Sequence, residues 1–560
     1  MHMLDLRIDN AEIYDGTGAR PINGSLGIKS GRIVAIGEAK NDAKELLDAN
    51  GLALMPGIID NHTHYDAQIT WDPFVNPSTS LGVTTIVMGN CGFTIAPCRP
   101  ADRDLTIRNL THVEGMPLKS LQEGINWGFE SFAEYMDMLV KKGVGPNVAV
   151  FCGHSSIRTY VLGDDAHKRT ATQREVRQMK EILREALRAG ACGFSTTRSG
   201  QHNGEAGIPM PSRLADFDEL QELSRVLKDV GYGTLMMTKG GDTSIQEIEH
   251  LASISGRPYL IAALLHSPMT PEKTFNDLEE IAGANERGSN LYGAVSPCPL
   301  TMEFTMHEPY LFEGLKVWNP LMKMNESEFK KTIRDKKFRE KMRSELSIRA
   351  YRIFNGEWNK VKVTQVSNKD NLTLEGRDLA SIAKKEGCDP LDYMFDLALA
   401  ENLDTMFTAT VMNSDEKAVG RMINHENALV SLSDAGAHLT FFCDAGYGLH
   451  LLGHWSRDLG VLSLSHAIKK LTSDPSKVFG IQKRGEIKLD YWADLLLFDP
   501  ETVGRGELSR VHDLPADGSR LTTPARGVHG VWINGTMIAD HKGMIPHAPT
   551  AGSVLRSFDP

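Results

Sequence analysis

This 560-residue chain has no long apolar run, no excess of positive over negative charge and no regular spacing of its cysteines. No stretch is apolar over the roughly 20 residues that cross a bilayer, and the first residues lack the apolar core of a secretory signal. The formal net charge of −11 argues against a nucleic-acid partner. Seven widely spaced cysteines do not resemble a disulfide framework, which predicts a reducing, cytoplasmic compartment.

What remains, 41% hydrophobic and 24% charged residues, is the composition of a globular fold. Alternating apolar and polar residues near both chain ends predict one small β-sandwich built from residues 1–56 and 484–560. Over residues 57–483, strand-like and helix-like runs alternate as in a parallel barrel. A charged, lysine-rich stretch breaks this rhythm at about 300–370 and predicts an inserted helical subdomain that covers the site.

Residues that can bind a metal stand at the ends of several predicted strands. His62 and His64 are two positions apart and therefore share one face of an extended strand. The other strand ends carry Cys91, His154, His266 and Asp434. Because the carboxyl ends of parallel strands meet at one face of a barrel, this series predicts an α/β fold, a (β/α)8 TIM-like barrel with its chemistry at that face.

These motifs resemble the amidohydrolase superfamily and, within it, the N-acyl-D-amino-acid deacylase (D-aminoacylase) family. The resemblance covers nearly the whole chain and rests on the run from Met55 to His64, on Asn90-Cys91-Gly92, on Gly153-His154, on residues 190–197 and on Ser433-Asp434. It implies a metal-dependent hydrolase of a carbon–nitrogen amide bond that deacylates an N-acyl amino acid or a related amide. One or two Zn²⁺ ions are the implied cofactor, since thiolate and imidazole ligands favour zinc.

The resemblance also implies roles for individual residues. His62 and His64 would bind one metal position, and Cys91 and His266 would serve the other. Asp434 would act as a ligand, as the general base and acid that moves the proton, or as both. We expect a small-molecule amide as the partner, neither nucleic acid nor membrane, and a homo-oligomer is left open.

Two positions depart from the family pattern. Residues 233–242 correspond to the family's fifth strand but contain no histidine. Lys239 is therefore predicted either to replace the missing ligand, as a lysine carbamate, or to anchor an anionic substrate group. Pro268 stands where the family has a lysine that holds the substrate carboxylate. Another cation then takes over this contact, with Arg198, Lys239 and Arg457 as candidates, or the substrate has no such carboxylate.

Several alternatives stay open at this level. His154 is interpreted as a substrate contact, a ligand, or a buried histidine that orients one. Tyr292 matches an aromatic residue near the family's substrate, or packs in the core. A cyclic-amide or urea-type amidohydrolase would need no carboxylate clamp, which fits Pro268. A non-catalytic scaffold on the same fold is opposed by the retained set of candidate ligands.

Overall fold

The computed structural model describes residues 3–350 and 352–559, and its centre is an eight-stranded parallel sheet. Each strand is hydrogen-bonded to the next in chain order. The strands are β1 (Ile58–Thr63), β2 (Val83–Met88), β3 (Asn147–Gly153), β4 (Gly193–Thr197), β5 (Thr234–Thr238), β6 (Tyr259–Leu264), β7 (Leu291–Val295) and β8 (Ala428–Val430). A parallel bridge between Thr63 and Ala435 brings the last segment back to β1, so the sheet curls into a barrel as predicted.

Helices connect the strands of the barrel and bury their apolar faces against it. They are α1 (Arg103–Val113), α2 (Leu118–Gly124), α3 (Phe132–Lys142), α4 (His154–Leu162), α5 (Gln173–Arg188), α6 (Phe217–Val230), α7 (Ile245–Ser255) and α8 (Lys273–Glu286). A capping box begins α5, since Thr172 and Glu175 each accept a hydrogen bond from the other's backbone N–H. The described helices include none that is both long and apolar enough to cross a membrane.

A nine-stranded sheet gathers strands from both ends of the chain. Its strands are Leu4–Ile13, Ile22–Lys29, Arg32–Gly37, Ala43–Asp48, Ala53–Pro56, Leu495–Phe498, Val528–Ile533, Thr536–Asp540 and Gly543–Met544. Antiparallel pairing of Met55 with Leu496 joins the two halves. The expectation of a β-domain built from both termini is confirmed, whereas its exact boundaries at residues 56 and 484 stay a prediction.

An inserted subdomain lies between β7 and β8 and has a hydrophobic cluster of its own, running from Met302 to Met412. It contains the strands Leu300–Phe304, Val361–Gln365 and Met406–Met412, and the helices α9 (Glu326–Arg334), α10 (Lys336–Leu346), α11 (Leu379–Glu386) and α12 (Pro390–Ala400). The insertion is longer than the predicted 300–370, because α11 and α12 pack into this cluster. The chain then returns to the barrel through α13 (Glu416–Asn424) and ends it with α14 (Tyr447–His450), α15 (Leu464–Leu471) and α16 (Ser473–Val478).

Candidate metal centre and active site

The His-x-His pair lies at the carboxyl end of β1, where the strand opens into the site. His62 belongs to the strand and His64 follows its last residue, Thr63. Both imidazoles are buried, and their ring centroids are 5.3 Å apart. Nε2 of His62 lies 3.5 Å from Sγ of Cys91, and Nε2 of His64 lies 3.9 Å from the same atom. The extended backbone therefore directs both rings to one point, as the spacing predicts.

A tight turn after β2 brings Cys91 to these histidines. Gly89, Cys91 and Gly92 all have positive φ, of 83°, 56° and 81°. A Cβ atom on Gly89 would lie 2.8 Å from the carbonyl oxygen of Phe151, so the close approach of the turn to β3 requires glycine there. The sequence Gly89-Asn-Cys-Gly92 thus folds the chain back sharply enough to point the thiol into the barrel mouth.

Asp434 completes the cluster from the segment that follows β8. Its Oδ1 atom lies 3.2 Å from Nε2 of His62 and 3.7 Å from Nε2 of His64. The residue has φ of 46°, a left-handed conformation that aspartate tolerates better than most residues. Its side chain stays 27% exposed, in contrast to the two buried histidines. Asp434 is therefore the member of the cluster that can also reach a substrate.

The distances from the two imidazole nitrogens to the thiol and to the carboxylate are those of a metal-ligand set. Ligands about 2.0–2.3 Å from a tetrahedral zinc ion lie roughly 3.3–3.8 Å from one another. The four contacts just described span 3.2–3.9 Å, and the two imidazoles and the thiol form a compact group that could hold an ion. Two imidazole nitrogens, one thiolate and one carboxylate oxygen are also the ligand types that zinc prefers. The residues present thus fit a divalent metal ion.

The cluster is electrostatically coupled. Burial opposes the charge on Asp434, but its hydrogen bonds to His62 and His64 outweigh that effect and hold its pKa well below the usual range. For His62, burial is outweighed by Cys91 and Asp434, which raise its pKa to about 9. The two histidines in turn lower the pKa of the Cys91 thiol in spite of its burial. Asp434 and Cys91 thus favour their negatively charged forms beside the histidines. A metal cation binds such a site by replacing the protons on its ligands.

Glu114 contacts His64 on the side away from the cluster, and no sequence pattern predicts this contact. Oε1 of Glu114 lies 3.0 Å from Nδ1 of His64, and only 3% of its side chain is exposed. A carboxylate on the far nitrogen of a metal-binding histidine fixes the ring orientation and raises its basicity. Glu114 stands between α1 and α2, in a segment without strand or helix periodicity, so no local pattern marks it.

The predicted ligand Lys239 does not reach the cluster. Its Nζ atom lies 2.9 Å from Oδ2 of Asp277 on α8, and the carboxylate also pairs with Lys273. Thr238, the last residue of β5, faces inward instead, with its hydroxyl 3.1 Å from Sγ of Cys91. Because successive residues of a strand point to opposite sides, Lys239 is directed away. Lys239 therefore lies outside the ligand cluster in this structure, and its roles as a ligand and as a carbamate stay predictions.

His266 is also turned away from the cluster. It lies two residues beyond the end of β6, and its backbone N–H and carbonyl are bound by Asn413. Its ring faces Phe275 at a centroid distance of 6.3 Å. Ala262 and Ala263 line the metal cavity from β6 in its place. His266 lies outside the ligand cluster because the chain has already left the strand and turned toward residue 413, and its role as a ligand stays a prediction.

His154 belongs to a buried network on the outside of the barrel. Nδ1 lies 2.8 Å from the hydroxyl of Thr196, and Nε2 lies 2.7 Å from Oε1 of Glu219. The second oxygen of Glu219 accepts a hydrogen bond from Arg158. His154 is fully buried with both nitrogens engaged, so in this structure it contacts neither the cluster nor the cavity. Its partners Thr196 and Glu219 are not members of the ligand cluster, so a role in orienting a ligand stays a prediction.

Three further candidates lie outside the site. Arg198 follows β4, but its neighbour Ser199 lines the main cavity and Arg198 does not. Tyr292 is the second residue of β7, at the amino ends of the strands, in the field of Asp474. Arg457 binds Asp458 and the carbonyl of Val503 at the surface. The substrate-binding predictions for Arg198 and Tyr292 are therefore not supported by their positions.

A cavity of about 460 Å³ opens beside the cluster, between the barrel and the inserted subdomain. A smaller cavity of about 60 Å³ lies directly on the cluster. The two cavities share the lining residues His202, Thr238, Ala263, Asp434 and His438. The insertion contributes to the wall of the larger one through Leu300, Met302, Tyr310, Lys316, Arg352 and Met412. Asp434 therefore stands where the metal position meets the space for a substrate.

Barrel, terminal sheet and ligand cluster together define a metal-dependent hydrolase of amide bonds. The model of the amidohydrolase family matches residues 45–331 and 344–539, and the chain belongs to this family. Its resemblance to the D-aminoacylases is confirmed by the relatives that follow.

Two relatives match nearly the whole chain. D-aminoacylase of Alcaligenes xylosoxydans xylosoxydans is 28% identical over 548 residues, which are 95% of this chain and 94% of the relative. N-acyl-D-glutamate deacylase of the same organism is 27% identical, over 99% of this chain and 96% of the relative. Both alignments extend through the barrel and the terminal sheet.

Solved structures agree with the fold. The N-acyl-D-glutamate deacylase from Bordetella bronchiseptica, complexed with zinc and a phosphonate inhibitor, is 25% identical with a TM-score of 0.67, covering 99% of this chain and 100% of that one. A dihydropyrimidinase from Brevibacillus agri NCHU1002, with a TM-score of 0.52 at 14% identity over 99% of each chain, shows the fold alone.

Proposed function

We propose that this chain deacylates an N-acyl amino acid, with zinc as the divalent metal at the cluster of His62, His64, Cys91 and Asp434. The observation that carries the proposal is the set of 3.2–3.9 Å distances from the imidazole nitrogens of His62 and His64 to the Cys91 thiol and to the Asp434 carboxylate, beside a substrate-sized cavity. The activities of the relatives support an N-acyl amino acid as substrate. Bound there, the ion would polarise the acyl carbonyl and lower the pKa of the attacking water.

Asp434 is the residue that we assign to proton transfer. It lines both cavities, so its carboxylate reaches the substrate as well as the ligand cluster. Its low pKa keeps it ionised at neutral pH and ready to accept a proton from the attacking water. The same carboxyl group then delivers that proton to the leaving nitrogen, which completes the cleavage of the amide.

One ion per chain fits the residues around the cluster better than two. The small cavity is lined from β5 and β6 by Thr238, Ala262 and Ala263, whose side chains offer one hydroxyl and no imidazole. His266 and Lys239, the candidates for completing a second position, are directed elsewhere. Cys91 then belongs to the single site with both histidines.

We also propose a reducing compartment, as in the cytoplasm. All seven cysteines are free. A reduced Cys91 is required by the ligand set, because the thiolate is the form that binds zinc.

The test combines metal analysis with one substitution. We expect elemental analysis of the purified chain to find about one zinc ion per chain, and hydrolysis of N-acetyl amino acids to release acetate. Asp434→Asn should lower kcat/KM by about 100- to 10,000-fold, the usual contribution of a general base, without loss of fold by circular dichroism. Asp458→Asn, at an exposed carboxylate, serves as the control. A fully active Asp434→Asn enzyme would contradict the assignment of proton transfer to Asp434. Two ions per chain would contradict the proposal of a single metal position.

A further inference from the structure

The main cavity is richer in positive than in negative charge. Four cationic side chains line it, namely Arg213, Lys239, Lys316 and Arg352. They face two carboxylates, Glu313 and Asp434. Glu313 lies 3.4 Å from the imidazole of His112, and Asp434 belongs to the ligand cluster. The cavity therefore favours an anionic ligand, and the question is which cation binds it.

Three of the four cations are already paired with other groups or exposed to water. Lys239 forms its ion pair with Asp277 at 2.9 Å. The guanidinium of Arg352 donates to three backbone carbonyls, those of Glu345, Ile348 and Phe354. Lys316 is exposed and keeps its hydration, which weakens any ion pair that it makes.

Arg213 differs from these three. Within residues 3–350 and 352–559, no carboxylate lies at ion-pair distance from it; its Nη1 atom donates to the backbone oxygen of His202 at 3.1 Å and to Oδ1 of Asn203. Nε and Nη2 have no hydrogen-bond partner among the same residues. Burial lowers the pKa of Arg213 with no compensating negative charge. A half-buried guanidinium with two unused donor groups can bind a carboxylate through both.

The position of Arg213 is fixed close to the metal cluster. It lies in the short turn Pro211–Leu214 after β4, which is tied to α4 by the hydrogen bond between Ser212 and Ser155. His202, whose carbonyl accepts from Arg213, lines both the main cavity and the small cavity on the cluster. Arg213 thus lines the main cavity and is joined, through His202, to the part of the wall that this cavity shares with the metal position.

We propose that Arg213 binds the carboxylate of the amide substrate, in the role for which Pro268 leaves no lysine. This assignment rests on the proposed function, since it names the residue that selects an anionic substrate for that site. One part of the cavity wall, formed by Leu265, Leu300, Met302 and Met412, is apolar and suits a hydrophobic side chain on the same molecule. N-acetyl-leucine, in both enantiomers, is therefore a suitable probe.

The experiment compares N-acetyl-leucine with its carboxamide, which lacks the negative charge. We expect the wild-type enzyme to prefer the carboxylate, and Arg213→Met to lose about 10- to 100-fold in kcat/KM for it, the usual effect of removing a charge-assisted hydrogen bond. Turnover of the carboxamide should change less than about threefold. Arg213→Lys keeps the positive charge but lacks the planar guanidinium with its parallel N–H donors, so it should recover part of the lost kcat/KM. Arg457→Met, at a surface arginine outside the cavity, should match the wild type.

Binding is measured separately from turnover. Calorimetric titration of the same two compounds onto metal-loaded Asp434→Asn protein, with and without Arg213→Met, should show the same loss of carboxylate preference. Thermal unfolding confirms that the variants fold. If the probe binds with this preference but is never hydrolysed, the proposed function fails and the assignment of Arg213 stands. If Arg213→Met keeps the wild-type preference, or the wild type has none, the assignment is overturned.

Discussion

His62 and His64 direct the same ring nitrogen to one point because their positions on β1 share a face, but geometry alone does not hold the rings there. Glu114 lies 3.0 Å from Nδ1 of His64 and is almost fully buried. A histidine that keeps its Nδ1 on a carboxylate can offer only Nε2 to the cluster. At the scale of single residues, the affinity for metal therefore depends on a side chain that is not itself a ligand.

Glu114→Gln tests this dependence. The amide keeps the shape of the side chain but removes its charge, so we expect the affinity for zinc to fall about 10- to 100-fold. Competition with a chromophoric chelator measures the dissociation constant directly. Glu123→Gln, at an exposed glutamate on α2, is the matched control. An unchanged zinc affinity for Glu114→Gln would show that the carboxylate does not support His64.

At the scale of elements, α4 and α6 are joined through a buried network. Nε2 of His154 donates to Glu219, and the hydroxyl of Thr196 donates to Nδ1. Burial lowers the pKa of His154, although Glu219 opposes this. The neutral imidazole is therefore the form that the folded chain holds, with one nitrogen as donor and the other as acceptor.

This network predicts a loss of stability in mild acid. The pKa of this histidine is lower in the folded than in the unfolded state, where it has the ordinary value of 6.5. The neutral histidine therefore stabilises the fold at pH above 6.5, and this stabilisation is lost as the pH falls below that value. Each proton taken up on unfolding lowers the free energy of unfolding by up to about 1.4 kcal/mol per pH unit. Urea unfolding between pH 7 and 5 should show a flatter dependence for His154→Gln than for the wild type. His529→Gln, at an exposed histidine, controls for the removal of an imidazole; equal slopes for all three proteins would contradict the prediction.

The position of each residue relative to the end of its strand also explains how much of the site could be predicted from the sequence. The barrel, His62, His64, Cys91 and Asp434 follow local rules, since each residue lies at or just beyond the end of an apolar strand. Lys239 stands one residue beyond the end of β5, and the alternation of side chains places Thr238 inside instead. His266 stands two residues beyond the end of β6, where its backbone is bound to Asn413 in the inserted part of the chain, a contact that no local pattern announces.

Residues in irregular segments could not be predicted from local patterns. Glu114 lies between two helices and Arg213 in a short turn, and both reach the site through the path of the folded chain. Neither segment has a periodicity that assigns a facing direction. The roles of Glu114 and Arg213 depend on contacts between parts of the chain that are far apart in sequence. Local patterns in the sequence do not predict such contacts.

For the whole molecule, a polar cluster ties the terminal sheet to the barrel. The carboxylate of Asp494 accepts hydrogen bonds from Arg484 and from the side-chain amide of Asn147 on β3. Asn534, in the turn that follows the strand Val528–Ile533, donates to the side chain of Asn147 at 3.1 Å. Residues up to 387 positions apart are joined in this cluster, so we expect barrel and sheet to unfold together.

Asp494→Asn tests this coupling. Arg484 and Asp494 are both about 97% buried, and removal of one partner leaves a buried charge uncompensated, at a cost of about 3–5 kcal/mol. The exposed pair of Lys483 and Asp490 offers the control, since Asp490→Asn should change the free energy of unfolding by less than about 1 kcal/mol. Urea unfolding followed by tryptophan fluorescence and by zinc release should give one coincident transition for the wild type and, at lower urea, for Asp494→Asn. Zinc retained through a first transition would show that the barrel folds independently of the terminal sheet. The polar cluster around Asp494 would then connect the two parts without coupling their stability.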